Sequence, residues 1–290
     1  MTAVTRLGLL WTVFVLFSVA VTAQEALPAD YLPPSFHKGR REAARQLMPE
    51  GSVMAVFAAP TRNYANDVDY NYHQNPDLYY FTGYKEPNAV LLLFKEEQTG
   101  ADGQKFTELF FVQKRNAQLE QWNGRRLGPA GVKENLGISH TFNGEDFKDF
   151  ALDLSRFSKI LLFPFAEDVA DNRRDGADLY DLVAQFKSKA GIPSTTALPP
   201  NVDHRLYRQL TGQLREIKTD EELDLIRKAV EISCQGQNEV MKAVHGNMSE
   251  LEIQGLHEYV HKKYGAESLG YGSIIGSGEN GCILHYTENT

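Results

Sequence analysis

Four short runs of uninterrupted apolar residues constrain this chain most: Val53-Met54-Ala55-Val56-Phe57, Val90-Leu91-Leu92-Leu93-Phe94, Leu109-Phe110-Phe111-Val112 and Ile160-Leu161-Leu162-Phe163. A strand with one wet face alternates apolar and polar positions. A run that is apolar at every position belongs to a strand covered on both faces. Helical patterns between the runs supply the cover, as in Leu179, Leu182, Val183 and Phe186, which share one helical face. The alternation predicts an α/β domain. An aromatic content of 11% is enough to fill its core. The formal net charge of −8 gives no general basic field, so nucleic acid is not an expected partner. Two cysteines, Cys234 and Cys282, exclude a disulfide framework and a thiol-rich zinc site.

Residues 1–23 read as a signal peptide. Arg6 gives a short positive leader, Leu7 to Val21 carries no charge, and Val21-Thr22-Ala23 places small residues at a cleavage site before Gln24. The uncharged run is shorter than the roughly 20 residues that span a bilayer, so no stable membrane anchor is expected. The chain is then exported, to a periplasm or outside the cell. Residues 24–40, with Pro28, Pro33 and Pro34, read as an extended lead-in.

Leu198-Pro199-Pro200-Asn201 marks a break, and a domain boundary is expected near residue 205. Thr219-Asp220-Glu221-Glu222 and Ser249-Glu250-Leu251-Glu252 are capping boxes. They predict a long helix to about Val244, with a stripe of Leu223, Ile226, Val230 and Cys234. A second helix carries Ile253, Leu256, Val260 and Tyr264 and stops at Gly265. Tyr271 to Thr290 reads as strand-like runs around a glycine hairpin loop.

Gly276-Ser277-Gly278-Glu279-Asn280-Gly281 matches the dinucleotide fingerprint, but no helix pattern follows it, and a turn accounts for the glycines better. His257-Glu258-Tyr259-Val260-His261 matches H-E-x-x-H inside a predicted helix, where two imidazoles one turn apart could share a zinc. Tyr264 and Glu267 stand where the extended form of that motif needs Gly and His, and His257 borders the apolar stripe, so helix packing is the favoured account. No serine stands in a G-x-S-x-G elbow.

Several stretches together carry a resemblance. Asn75-Pro76-Asp77-Leu78-Tyr79-Tyr80-Phe81-Thr82-Gly83-Tyr84, then Glu86-Pro87-Asn88-Ala89-Val90, resembles the N-terminal domain of Xaa-Pro aminopeptidases, the aminopeptidase P family. Trp122-Asn123-Gly124-Arg125-Arg126-Leu127-Gly128 resembles the next block of that domain. Lys218 to Glu222 resembles the entry to the catalytic domain, and Gly276 to Asn289 the segment that brings in the first active-site histidine.

The resemblance implies an α/β creatinase-like domain over residues 24–205, followed over 206–290 by the truncated start of an α+β pita-bread domain. It implies removal of an N-terminal residue that precedes proline, from peptide substrates, by a hydroxide shared between two divalent metal ions, usually manganese. By resemblance His285 is catalytic and faces the substrate carbonyl, and Trp122 binds substrate, in some relatives from a neighbouring subunit. Family members commonly form homo-oligomers. The family's metal ligands lie on segments that follow the one ending at Thr290, so no metal ligand is assigned. The manganese pair is expected in the full-length protein only, and the 290-residue chain is expected to be truncated and inactive alone. The alternatives are a zincin built on His257 and His261, or a non-catalytic creatinase-like binding module.

Overall fold

A computed structural model describes residues 31–193 and 198–290, and the signal peptide read over residues 1–23 lies outside the described residues. Leu32–Thr290 forms one compact unit. It opens with α1 (Pro34–Leu47), β1 (Ser52–Phe57) and a small hairpin of β2 (Asn63–Ala65) and β3 (Val68–Asp69). There follow α2 (Pro76–Thr82), β4 (Val90–Thr99), β5 (Lys105–Val112), α3 (Ala117–Asn123), α4 (Gly128–Leu136) and β6 (Thr141–Asn143). The remaining elements are β7 (Lys159–Leu162), α5 (Leu179–Ala190), α6 (His204–Glu216), α7 (Asp220–Ala243) and α8 (Glu250–Lys263).

Five strands make a mixed sheet in the order β6-β5-β4-β1-β7. β4 pairs antiparallel with both β1 and β5, while β7 and β6 add in parallel at the two edges. The register sets Val53 opposite Phe94 and Leu91 opposite Phe110. Successive residues of each run therefore enter two different cores. Met54, Val56, Leu91, Leu93, Phe110 and Leu161 meet α1, α2, α4 and α6. Val53, Ala55, Leu92, Phe94, Phe111 and Ile160 meet Leu182, Phe186 and Ala190 of α5. The doubly covered sheet expected from the apolar runs is present, with Phe163 falling just past β7 and half exposed.

Residues 34–40 are helical rather than extended. Pro34 occupies the first turn of α1, where its missing N–H costs nothing. Buried Arg41 of α1 forks onto Glu108, Nε to Oε2 at 2.8 Å and Nη2 to Oε1 at 3.1 Å, and its Nη1 donates to the Phe81 carbonyl at 2.8 Å. A charge at this depth is tolerable because each side of the fork is met.

Helix α6 lays Tyr207, Leu210 and Leu214 on the first core. Just before it, Asn201 to Asp203 lie along the outer edge of β7. Ile160 N–H donates to Asn201 O at 2.8 Å, and Asp203 N–H to Ile160 O at 2.9 Å.

Helices α7 and α8 begin at the two expected capping boxes, Thr219 with Glu222 and Ser249 with Glu252. The stripe expected on α7 is not its packed face: Ile226 and Val230 are exposed, and Ile232 and Gly236 are buried instead. Residues 271–290 form no strand. They run as irregular backbone with one 3₁₀ turn at Gly278–Cys282, because the side chains of Glu250 and Asn289 take backbone groups of Ser273, Ile275, Ser277 and Thr290 that a strand ladder would use.

Candidate functional site

The block Asn75–Tyr84 is a joint. Asn75 caps α2 by accepting from Asp77 N–H at 2.9 Å, and its Nδ2 donates to Phe57 O at 2.8 Å, which ties the helix to the end of β1. The Asp77 carboxylate receives the Tyr207 hydroxyl at 2.7 Å and Arg215 Nη2 at 2.6 Å, fastening α6. Gly83 ends α2 at φ +72°, where a Cβ would stand 2.9 Å from Nε2 of buried His37. Only glycine meets both demands. The buried Tyr84 hydroxyl donates to Glu86 Oε2 at 2.9 Å, and Glu86 Oε1 accepts Leu127 N–H at 2.8 Å. Burial raises the Glu86 carboxyl above its ordinary range, against the pull of these two bonds. Glu86 thus links this block to the Trp122–Gly128 block.

Trp122 is 87% exposed at the end of α3. Asn116 caps that helix through the N–H groups of Gln118 and Leu119, and Arg115 forks onto Glu120 at 3.0 and 2.7 Å. Trp122 fills no core. A large ring held outward on a braced helix is free to lie against something else.

The H-E-x-x-H pair faces α7. The rings of His257 and His261 lie 4.2 Å apart, centroid to centroid, and both cross Gly236. His261 Nε2 is 3.4 Å from Ser233 Oγ, and its Nδ1 is 2.9 Å from His257 O. His257 Nε2 is 3.4 Å from the Gln237 amide, and its buried Nδ1 has no partner. Burial, then the neighbouring His261, lowers the His257 pKa, with Glu258 opposing. The intervening Glu258 accepts from Gln254 and Ser273. The pair sits where two helices cross.

His285 is exposed on the irregular segment. The loop around it is built on one carboxylate. Glu250, in the first turn of α8 and 3% exposed, accepts from Ser277 N–H at 2.6 Å, Ser277 Oγ at 3.1 Å and Asn280 Nδ2 at 3.1 Å through Oε1. Its Oε2 accepts Thr290 N–H at 3.0 Å, and Glu250 N–H returns a bond to Thr290 O at 3.0 Å. Buried Tyr286, next to His285, accepts from Asn280 Nδ2 at 3.0 Å through its hydroxyl. Asn289, at φ +50°, receives Ile275 N–H at 2.9 Å and donates to Ser273 O and Gln254 Oε1. Burial works against the Glu250 charge, yet bonds from Ser277, Asn280 and Tyr286 outweigh it and bring the carboxyl down to about 2. Gly276 is required by close approach and not by a positive φ, since a Cβ there would lie 2.8 Å from Asn280 O.

The motifs that contain Glu250, Asn280, Tyr286 and Asn289 do not reveal that these four hold the loop together; asparagine at turn positions is a signal for two of them. Among the described residues no hydrogen bond or ring contact joins Trp122 to His285, and no three His, Cys, Asp or Glu side chains converge. What the arrangement offers chemically is an imidazole on a fixed loop and, separately, an exposed indole.

Comparison with known proteins gives the same two-part order. The profile of the aminopeptidase P N-terminal domain matches residues 37–161, and that of metallopeptidase family M24 matches residues 224–290. The Xaa-Pro aminopeptidase of Escherichia coli is 32% identical over 250 residues, 86% of this chain and 54% of that protein. The Haemophilus influenzae Xaa-Pro aminopeptidase is 30% identical over 260 residues, 89% of this chain and 54% of that one. E. coli aminopeptidase P with the inhibitor Pro-Leu superposes with a TM-score of 0.72 at 30% identity, over 89% of this chain and 56% of that chain. The chain spans about half the length of the relatives it matches. With an N-terminal domain, the start of a pita-bread domain and these motifs in order, the chain belongs to the aminopeptidase P family.

Proposed function

We propose that this chain carries the N-terminal domain and the His285 segment of an exported Xaa-Pro aminopeptidase. The observation that carries the reading is the order of the two profile matches along one chain, with His285 exposed on a braced loop inside the second. A ring N–H of His285 donates to the carbonyl oxygen of the bond before proline and steadies the charge that develops there. Trp122 lies against the peptide. Family M24 implies divalent metal ions, which supply a hydroxide nucleophile when bound. Manganese is our choice for them. Signal cleavage after Ala23 and homo-oligomer formation belong to the same proposal.

The test pairs two proteins. The 290-residue chain, free of contaminating peptidase, releases no first residue from an Xaa-Pro peptide with or without manganese. The same sequence extended by the remainder of an M24 domain does release it, and His285→Ala lowers its kcat by roughly 100-fold or more. Manganese-dependent release by the 290-residue chain, or full turnover by the extended His285→Ala protein, overturns the proposal.

A further inference from the structure

The carboxylate of Glu250 reaches both ends of the segment on which His285 lies. One oxygen collects the Ser277 N–H, the Ser277 hydroxyl and the Asn280 amide, and the other takes the Thr290 N–H. A second link passes through Tyr286, whose hydroxyl meets Asn280 Nδ2 at 3.0 Å and Thr290 Oγ1 at 3.1 Å. Thr290 O accepts Glu250 N–H, so the return end is held from the backbone as well. These bonds leave His285 exposed, next to the buried ring of Tyr286. Irregular backbone of this length has no ladder to hold it and pays full conformational entropy for its order. An ionised acceptor meeting several donors is the strongest local source of that order, since charge-assisted bonds are about twice as strong as neutral ones.

We infer that Glu250 is a positioning residue, whose carboxylate closes the Ser277–Thr290 loop and thereby fixes where His285 is presented. Glu250 does not touch the reacting atoms. It acts through the loop, and the inference rests on His285 being the substrate-facing residue. The role calls for a carboxylate in particular, because every group that meets it, apart from its own helix, is a donor. A glutamine would turn an amide NH₂ against one of those donors and leave it unmet.

The test uses the full 290-residue chain, uniformly ¹⁵N-labelled so that backbone amides and histidine rings are both read, in wild type and Glu250→Gln forms. Amide exchange is read at Ser277 and Thr290, and in Val53–Phe57 as the internal reference. We expect exchange at Ser277 and Thr290 to quicken by roughly tenfold or more, with the β1 amides unchanged. The His285 ring signals should move to their position in the denatured chain, a signature that simple loss of overall stability would not give while β1 stays protected. Should Glu250→Gln fail to fold, Glu250→Asp keeps the charge but shortens the reach and is read in the same way. His285 signals that ignore the substitution, with or without faster exchange at Ser277, overturn the inference. Failure of the underlying reading is separate: it shows as undiminished turnover in the extended His285→Ala enzyme.

Discussion

Residues 32–217 and residues 218–290 solve the problem of holding shape in opposite ways. The first region sandwiches a sheet between helices and drives Phe81, Phe94, Phe110, Phe111 and Phe147 to complete burial. Each large apolar side chain so buried stabilises by about 1.5–3 kcal/mol. The second region buries Ile232, Val260 and Tyr286 but leaves Ile226, Val230, Met241, Leu251 and Leu284 exposed. Its order comes from caps and from side-chain amides and carboxylates aimed at backbone. Burial is insensitive to direction and hard to undo by any single polar change. Polar bracing depends on each partner being present and in the right charge state. The His285 segment is therefore set by chemistry at a few atoms, while the domain before it is set mainly by volume.

The sharpest way to break the contrast is to remove volume from each side. Phe111→Ala should lower unfolding free energy by about 3–5 kcal/mol, through lost burial and the cavity left between β5 and Phe147. Val230→Ala, on the exposed side of α7, should stay within about 0.5 kcal/mol of wild type in the same denaturant titration. Equal losses at the two sites would erase the distinction.

Acid should act on the other side alone at first. The Glu250 carboxyl titrates at about 2 in the fold against an ordinary value of 4.5, so its stabilisation is complete above the ordinary value. It fades as pH falls from 4.5 toward 2. Exchange at Ser277 and Thr290 should therefore quicken through that window before the amides of Val90–Phe94 respond. Simultaneous loss in both places would contradict polar bracing as the local cause. The smallest expected effect is at Trp122. Trp122→Ala should leave the unfolding free energy within about 0.5 kcal/mol of wild type, and the melting temperature with it, because an indole 87% exposed gives up little packing. A fall of many degrees would make it a structural residue.

Legibility in the sequence follows the same divide. The runs at 53–57, 90–94, 109–112 and 160–163 announce the sheet because burial on both faces leaves no polar position to disguise them. Thr219 and Ser249 announce their helices because a cap is local, three residues wide. Helix α1 is hidden for two reasons. Pro33-Pro34 mimics an extended chain, and its inward face includes Arg41, a residue whose burial depends on Glu108, 67 positions away. The α7 stripe misleads because spacing shows which residues share a face and not which face finds a partner. His257 and His261 carry a metal-binding spelling, yet a glycine on the facing helix is what brings their rings close to α7. The part of the bracing that Glu250 supplies is long range, Glu250 to Thr290 spanning 40 positions, and no short window of sequence contains it.

The strip of chain at Asn201–Asp203 has a consequence for how molecules meet one another. A sheet exposes unsatisfied amides and carbonyls along its outermost strands, an invitation to foreign strands and so to fibrous growth. Here the β7 side is already occupied by Asn201, Val202 and Asp203, which take the N–H and the carbonyl of Ile160. The opposite outermost strand, β6, is three residues long and runs straight into a 3₁₀ turn. Each flank is thus closed over part of its length, by Asn201–Asp203 on one side and by β6 against Phe110–Val112 on the other. For a sheet this rich in Leu, Val and Phe, that shortens the template it presents to its neighbours in a crowded solution.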